Sequence, residues 1–202
     1  MTSPTVFVVD DNRSVRKSLQ ALGEAAGLAV ETYASAEDFL AVYDAKRPGC
    51  LVLDVRLRGK NGLDLQDELR RRNSILPIIV MTGYADVPTT VRAFKSGAID
   101  FMRKPVSPRK LIAQIREAIE VDQRAREAEA ERTAVGAHVA ELTPRERQVM
   151  ELLATGSSSR DIATALGLSV RTVEGHRREV LRKMEVDSAV QLARAITGVR
   201  RP

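Results

Sequence analysis

The chain has 202 residues, a single cysteine, and 32 Lys and Arg against 27 Asp and Glu. Its length suits two small domains better than one minimal module. No apolar run nears the roughly 18 residues of a membrane span, and the lone Cys50 excludes an internal disulfide framework or a cysteine-held metal cluster. The basic excess hints at an anionic partner. However, basic and acidic residues number 17 and 13 over 1–115, 4 and 6 over 116–137, and 11 and 8 over 138–202, so net charge singles out no nucleic-acid-binding half.

The opening MTSPTVFVVDD has no basic segment ahead of its apolar one, so no secretory signal is expected and the reducing cytoplasm is the expected compartment. TVFVVD, LAVETY, CLVLDV, PIIVMTG and AIDFMRKP are rich in Val, Ile and Leu, stop at Asp, Gly or Pro, and are predicted as strands. The stretches between and after them, SVRKSLQALGEAAG, SAEDFLAVYDA, LDLQDELRRRN, VPTTVRAFKSG and SPRKLIAQIREAIE, have helical spacing. Five βα units with strands apolar on both faces predict an α/β domain over 1–119, a doubly wound parallel sheet covered by helices. Its working site is expected beyond the carboxyl ends of the strands.

Residues 120–140 turn to charge and alanine and are predicted as a partly helical linker. Arg124 with Glu127 or Glu131 would give weak support, and Gly136 is the expected end. Large side chains at coiled-coil spacing are missing there. Residues 141–202 read as a second, smaller all-α domain. Thr143, Pro144 and Glu146 supply a cap, a first-turn proline and a capping-box acid. Gly156 ends that helix, Ser158 starts the next, Gly167 ends it, Ser169 caps a helix from about 170 to 184, and a fourth follows from Ser188.

Carboxylates gather at the expected working edge. The first strand runs into Asp10 and Asp11, and the third runs into Asp54. Three carboxylates repel one another, and hard oxygen ligands of this kind suit Mg²⁺ with several retained waters. The fourth strand adds the hydroxyl of Thr82 and the small Gly83, and the fifth adds Lys104 ahead of Pro105. A nucleophilic carboxylate, a metal-binding pair, a hydroxyl and an ammonium make up a set for phosphoryl transfer onto Asp54.

DD at 10 and 11, D at 54, TG at 82 and 83 and KP at 104 and 105 together resemble the signature of response-regulator receiver domains, over roughly residues 4 to 120. The resemblance implies a flavodoxin-like (βα)5 fold with Asp54 as phosphoacceptor. Asp11 is then a direct Mg²⁺ ligand, Asp10 a ligand partly through water, and the backbone carbonyl of Arg56 a further ligand. It also implies a switch pair, Thr82 and Phe101, and a cis peptide between Lys104 and Pro105. Leu57 and Arg58 stand where many receivers carry Met-Pro. Arg56 and Tyr84 flank the expected path of attacking water and are expected to slow loss of the phosphoryl group.

The segment from Ser158 to Met184 reads as a helix-turn-helix. Ile162, Ala163, Leu166, Leu168, Val173, Val180 and Met184 face inward. Arg171, Thr172, Glu174, His176, Arg177, Arg178 and Arg182 face outward, a pattern suited to the major groove of double-stranded DNA. LTPRERQVMELLATG followed by LSVRTVEGHRREVLRKM closely resembles the four-helix DNA-binding domain of the FixJ/LuxR class. The resemblance implies, by position, that Glu174, Gly175 and Arg178 face base edges and that Thr172, His176, Arg177 and Lys183 are phosphate contacts. Glu174 either accepts from cytosine or forms an ion pair.

Together the resemblances imply a transcriptional regulator of a bacterial two-component system, with a sensor histidine kinase as donor and a homodimer on phosphorylation. An enzyme working through an aspartyl phosphate is not expected, because the place of its general acid, two residues past Asp54, holds Arg56 and no substrate-cap segment is evident. An arginine-faced protein-interaction module and a receiver that is never phosphorylated are the competing readings.

Overall fold

The computed structural model describes residues 3–83 and 86–200, with side chains through 197. Tyr84 lies outside the described residues. The first part alternates β1 (Thr5–Val9), α1 (Arg13–Ala25), β2 (Ala29–Tyr33), α2 (Ala36–Val42), β3 (Gly49–Leu53), α3 (Gly62–Arg71), β4 (Ile78–Thr82), α4 (Val87–Lys95), β5 (Ala98–Arg103) and α5 (Pro108–Ala140). All strand pairings are parallel, in the order β2-β1-β3-β4-β5.

Period-two alternation explains both faces of the sheet. Phe7, Val9, Leu51, Leu53, Ile78 and Val80 point to the side covered by Phe39 of α2, Leu65 and Leu69 of α3, and Ala93 of α4. Val6, Val8, Cys50, Val52, Ile79 and Met81 point to the side covered by Val15, Leu19 and Leu22 of α1 and by Leu111, Ile115 and Ala118 of α5. β1, β3 and β4 are buried throughout, whereas the edge strand β2 is only half-buried, having a neighbour on one side alone. Burial pushes the Cys50 thiol up to about 12, helped by the charge of Asp122. It is an inert core group.

The chain divides into two compact units, 1–126 and 127–202, inside the stretch expected as linker. The first unit keeps the early linker turns through a buried pair. Asp122, 1 % exposed, accepts the Gly49 N–H at 2.8 Å and Arg126 Nε at 2.8 Å. Arg126 also donates to the carbonyls of Ala45 and Arg47 at 2.9 and 2.8 Å. These bonds satisfy loop carbonyls and offset the cost of burying the carboxylate.

Gly136 does not end the helix, contrary to the expectation from its sequence; α5 runs on to Ala140. Val135 and Val139 pack on the core of the second unit, and that burial outweighs the roughly 1 kcal/mol penalty of a mid-helix glycine.

The second unit contains α6 (Pro144–Ala154), α7 (Ser159–Leu166), α8 (Val170–Lys183) and α9 (Ala189–Arg200). Thr143 and Glu146 form a reciprocal capping box, and Ser158 with Asp161 forms another. Gly167 closes α7 at φ 63°, a left-handed position that favours glycine. Val149, Met150, Leu153, Ile162, Val173, Val180, Met184 and Leu192 fill the core, so α8 buries one stripe and leaves the other to solvent.

Candidate functional site

Strand order brings the acidic residues to one rim. β1 and β3 are neighbours in register, Val9 opposite Leu53, and the Asp54 N–H extends that ladder by donating to the Val9 carbonyl at 2.9 Å. Asp10 and Asp54 therefore leave adjacent strands side by side. On the other flank the Lys104 N–H donates to the Thr82 carbonyl at 2.8 Å, which sets Lys104 beside the end of β4. The Lys104–Pro105 peptide is cis.

The side chains then converge. Lys104 Nζ lies 2.6 Å from Asp10 Oδ2 and 2.6 Å from Asp54 Oδ2, bridging two carboxylates that would otherwise repel each other. Burial by itself would lower the Lys104 pKa, but the hydrogen bonds to Asp10 and Asp54 outweigh it and the net direction is upward. Lys104 is a fixed positive charge. Asp10 is 1 % exposed, and its second oxygen accepts the Asn12 N–H at 2.8 Å. Arg16 secures the Asp10 carbonyl at 2.7 Å. Asp54 keeps its side chain partly open and accepts the Arg56 N–H at 3.2 Å.

Asp11 is more open and faces Arg58, whose Nε is 3.5 Å from its Oδ2. Thr82 is fully buried, and Phe101, on β5 opposite Val80, is half-buried against the core. Gly62 holds the loop after Asp54: a Cβ there would lie 2.0 Å from the Asp54 carbonyl oxygen, so only glycine lets α3 begin this close to the end of β3.

The donor chemistry fits Mg²⁺, which takes oxygen ligands, commonly one or two carboxylates with the rest water. Asp11, Asp54 and the Arg56 carbonyl, the ligands the resemblance implies, supply oxygen donors of that kind. Among the described residues no three acidic, His or Cys side chains are arranged to hold a metal by themselves. Both Asp10 carboxylate oxygens are already engaged, by Lys104 and by the Asn12 N–H.

In the second unit Arg171 and Arg178 are exposed on α8, and His176 and Arg177 are half-exposed beside them. Thr172 is partly committed, its N–H and hydroxyl engaging the Ser169 cap. Glu174 accepts the Ser159 hydroxyl, tying α8 to the first turn of α7. A Cβ on Gly175 would meet nothing within 4 Å, so no packing in this unit requires glycine there.

Lys183, expected at phosphate, is engaged within its own unit. Its ammonium is held by Glu146 Oε2 at 2.7 Å and by the Glu141 carbonyl at 3.3 Å, and the side chain is 19 % exposed. Its place near the end of α8 turns it toward the start of α6, a long-range pairing that helical periodicity does not reveal.

The hydrogen bond from Lys183, followed by that from the Thr143 N–H, holds Glu146 down at about 2, against an ordinary value of 4.5. A carboxyl with its pKa depressed by folding stabilises above its unfolded value, and that contribution is lost as pH falls through the folded one. Stability of the second unit should therefore fall between about pH 4.5 and 2 through this group, and Glu146→Gln should flatten that part of the profile in far-ultraviolet circular dichroism melts.

Comparison with known proteins agrees with this layout. Residues 6–116 match the family described as response regulator receiver domain, and 140–196 match bacterial regulatory proteins, luxR family. The chain is 42% identical over 193 residues to nodulation protein W of Bradyrhizobium diazoefficiens, covering 96% of this chain and 85% of that protein. It is 44% identical over 192 residues to the transcriptional regulatory protein FixJ of Azorhizobium caulinodans, covering 94% and 90%. Among solved structures, the response regulator StyR superposes with a TM-score of 0.86 at 37% identity over 97% of this chain and 99% of that one. Full-length FixJ from B. japonicum gives 0.61 at 39% identity over 98% of each. A receiver fold over the first 116 residues followed by a LuxR-type helical unit makes this chain a member of the two-component response regulators of the LuxR class.

Proposed function

We propose that the chain is a phosphorylation-controlled transcriptional regulator in which Asp54 accepts a phosphoryl group from the phosphohistidine of a sensor kinase. The observation that carries this reading is the Lys104 ammonium, 2.6 Å from both Asp54 and Asp10 at the rim of the sheet. A carboxylate oxygen of Asp54 attacks phosphorus, the new O–P bond forms as the N–P bond to the kinase imidazole breaks, and the imidazole leaves with the electron pair. Lys104 turns from Asp54 to the phosphoryl oxygens, and the Thr82 hydroxyl donates to them. Asp11, Asp54 and the Arg56 carbonyl would hold Mg²⁺, which would supply charge neutralisation. Position 56 offers no general acid, so turnover of small phosphate esters is not part of this reading.

Movement of Thr82 vacates space into which Phe101 turns, and this pair biases the face of α4, β5 and α5 toward self-association. Val87, Val91, Phe94 and Ile99 on that face are 76%, 45%, 49% and 38% exposed, unusual for large apolar groups without a partner. Two receivers joined there would present two copies of α8 to half-sites about one DNA turn apart. Gly175 supports the DNA reading, since its missing side chain leaves backbone free to approach a partner.

A phosphohistidine donor and DNA as partners support a cytoplasmic site of action. Among the described residues no helix is long and apolar enough to cross a membrane. Phosphorylated with acetyl phosphate, the wild type should dimerise in sedimentation equilibrium. Val87→Asp with Phe94→Asp should stay monomeric and lose the accompanying gain in DNA affinity. Undiminished enhancement in that variant refutes this route.

A further inference from the structure

Every carboxylate of the rim already faces a cation of the protein. Lys104 serves Asp10 and Asp54, each at 2.6 Å, whereas Asp11 is served by Arg58, 3.5 Å away. The two cations are held very differently. The Lys104 side chain is 21 % exposed and doubly bonded, and the Arg58 side chain is 90 % exposed in the loop between β3 and α3. Lys104 is built into the pocket; Arg58 is a removable counter-charge.

Asp11 is also one of the carboxylates assigned above to Mg²⁺. An oxygen that pairs with a guanidinium across 3.5 Å must give up that cation, or share it, when a divalent ion takes the same lone pairs. Two positive charges cannot both sit close to one carboxylate without repelling each other.

We propose that Arg58 competes with Mg²⁺ for Asp11 and so sets the metal concentration at which the pocket becomes loaded and able to accept phosphoryl. This rests on the metal reading under Proposed function. Arg58 acts through Asp11 as a positioning residue and takes no part in bond making. Its loop leaves it able to swing aside once the ion binds, so the competition costs affinity without blocking the site. Exposed pairs of this kind change an equilibrium by about 1.5- to fivefold, and that is the size of effect expected here.

The test is calorimetric titration of the full chain with magnesium chloride, with no phosphoryl donor present. Arg58→Ala and Arg58→Gln should tighten the Mg²⁺ dissociation constant about 1.5- to fivefold over wild type. Lys60→Ala removes a charge from the same loop and controls for the general field; it should shift the constant less than half as much. In an Asp11→Asn background, Arg58→Ala should have no effect.

Arg58 variants that bind as wild type does, or that shift no more than Lys60→Ala, overturn the proposal while leaving the metal site in place. Failure of wild type and all variants to bind Mg²⁺ overturns the metal reading and the competition with it. Arg58 is exposed enough that circular dichroism melts should superpose across the series, which separates loss of fold from loss of binding.

Discussion

Asp54→Asn will abolish incorporation of phosphoryl from acetyl phosphate, and with it any phosphorylation-dependent gain in DNA affinity. The amide keeps the size of the carboxylate but lacks the anionic oxygen that attacks phosphorus, so labelling should fall at least about a hundredfold. The fold should survive. Lys104 keeps its 2.6 Å contact to Asp10, and removing one of the clustered negative charges relieves repulsion in the rim. Intact-mass spectrometry after acetyl phosphate treatment reads the label, and a mobility-shift titration reads the DNA. Label that persists in the variant, on Asp10 or Asp11 for instance, would remove Asp54 from the centre of the account.

Lys104→Met separates charge from nucleophilicity at the same place. It retains Asp54 but leaves Asp10 and Asp54 without the cation they share, so it strips the phosphoryl oxygens of a counter-charge while the attacking group stays. Phosphorylation that is slowed yet not eliminated, with the label still on Asp54, is the pattern that follows. Comparing the two variants assigns the chemistry to one residue and the stabilisation to the other.

Much of the fold is legible because its signals are local. Val, Ile and Leu runs that stop at Asp, Gly or Pro mark β1, β3 and β4, and their alternation gives both faces of the sheet. Thr143, Pro144 and Glu146 announce α6 because a capping box needs only residues within one turn. The rim is legible for a related reason. A parallel sheet puts its strand ends on one side, so carboxylates that end neighbouring strands must meet.

What stays hidden depends on partners far away in the chain. Asp122 and Arg126 sit in a stretch of charge and alanine, yet Asp122 is buried and Arg126 half-buried against the loop before β3. Nothing within a turn of either residue signals that contact. Gly136 looks like a helix end until Val135 and Val139 find a core to pack on. Arg58 is one more exposed arginine in the sequence, and only the return of its loop toward β1 sets it against Asp11.

The arginines of α8 and Lys183 should part company when DNA binding is measured against salt. Arg178 is exposed and Arg177 half-exposed on the outward stripe of α8, the stripe proposed to meet the duplex. Arg178→Ala, if it removes a base contact, should cost about 1–3 kcal/mol in affinity for a specific site and relax preference at one position. Arg177→Ala should weaken specific and nonspecific DNA alike and lower the slope of log K against log salt by about 1. Lys183→Ala should instead leave that slope unchanged, because its ammonium is already engaged by Glu146 and the Glu141 carbonyl. The cost appears in folding: Glu146, 6 % exposed, loses its cation, and the second unit should melt earlier by the equivalent of about 1–3 kcal/mol. Adding Glu146→Gln to Lys183→Ala should recover part of that loss, since an uncharged amide is less costly to leave beside the core than an unpaired carboxylate. If Lys183→Ala lowers the salt slope while its melt is unchanged, Lys183 is a phosphate contact after all.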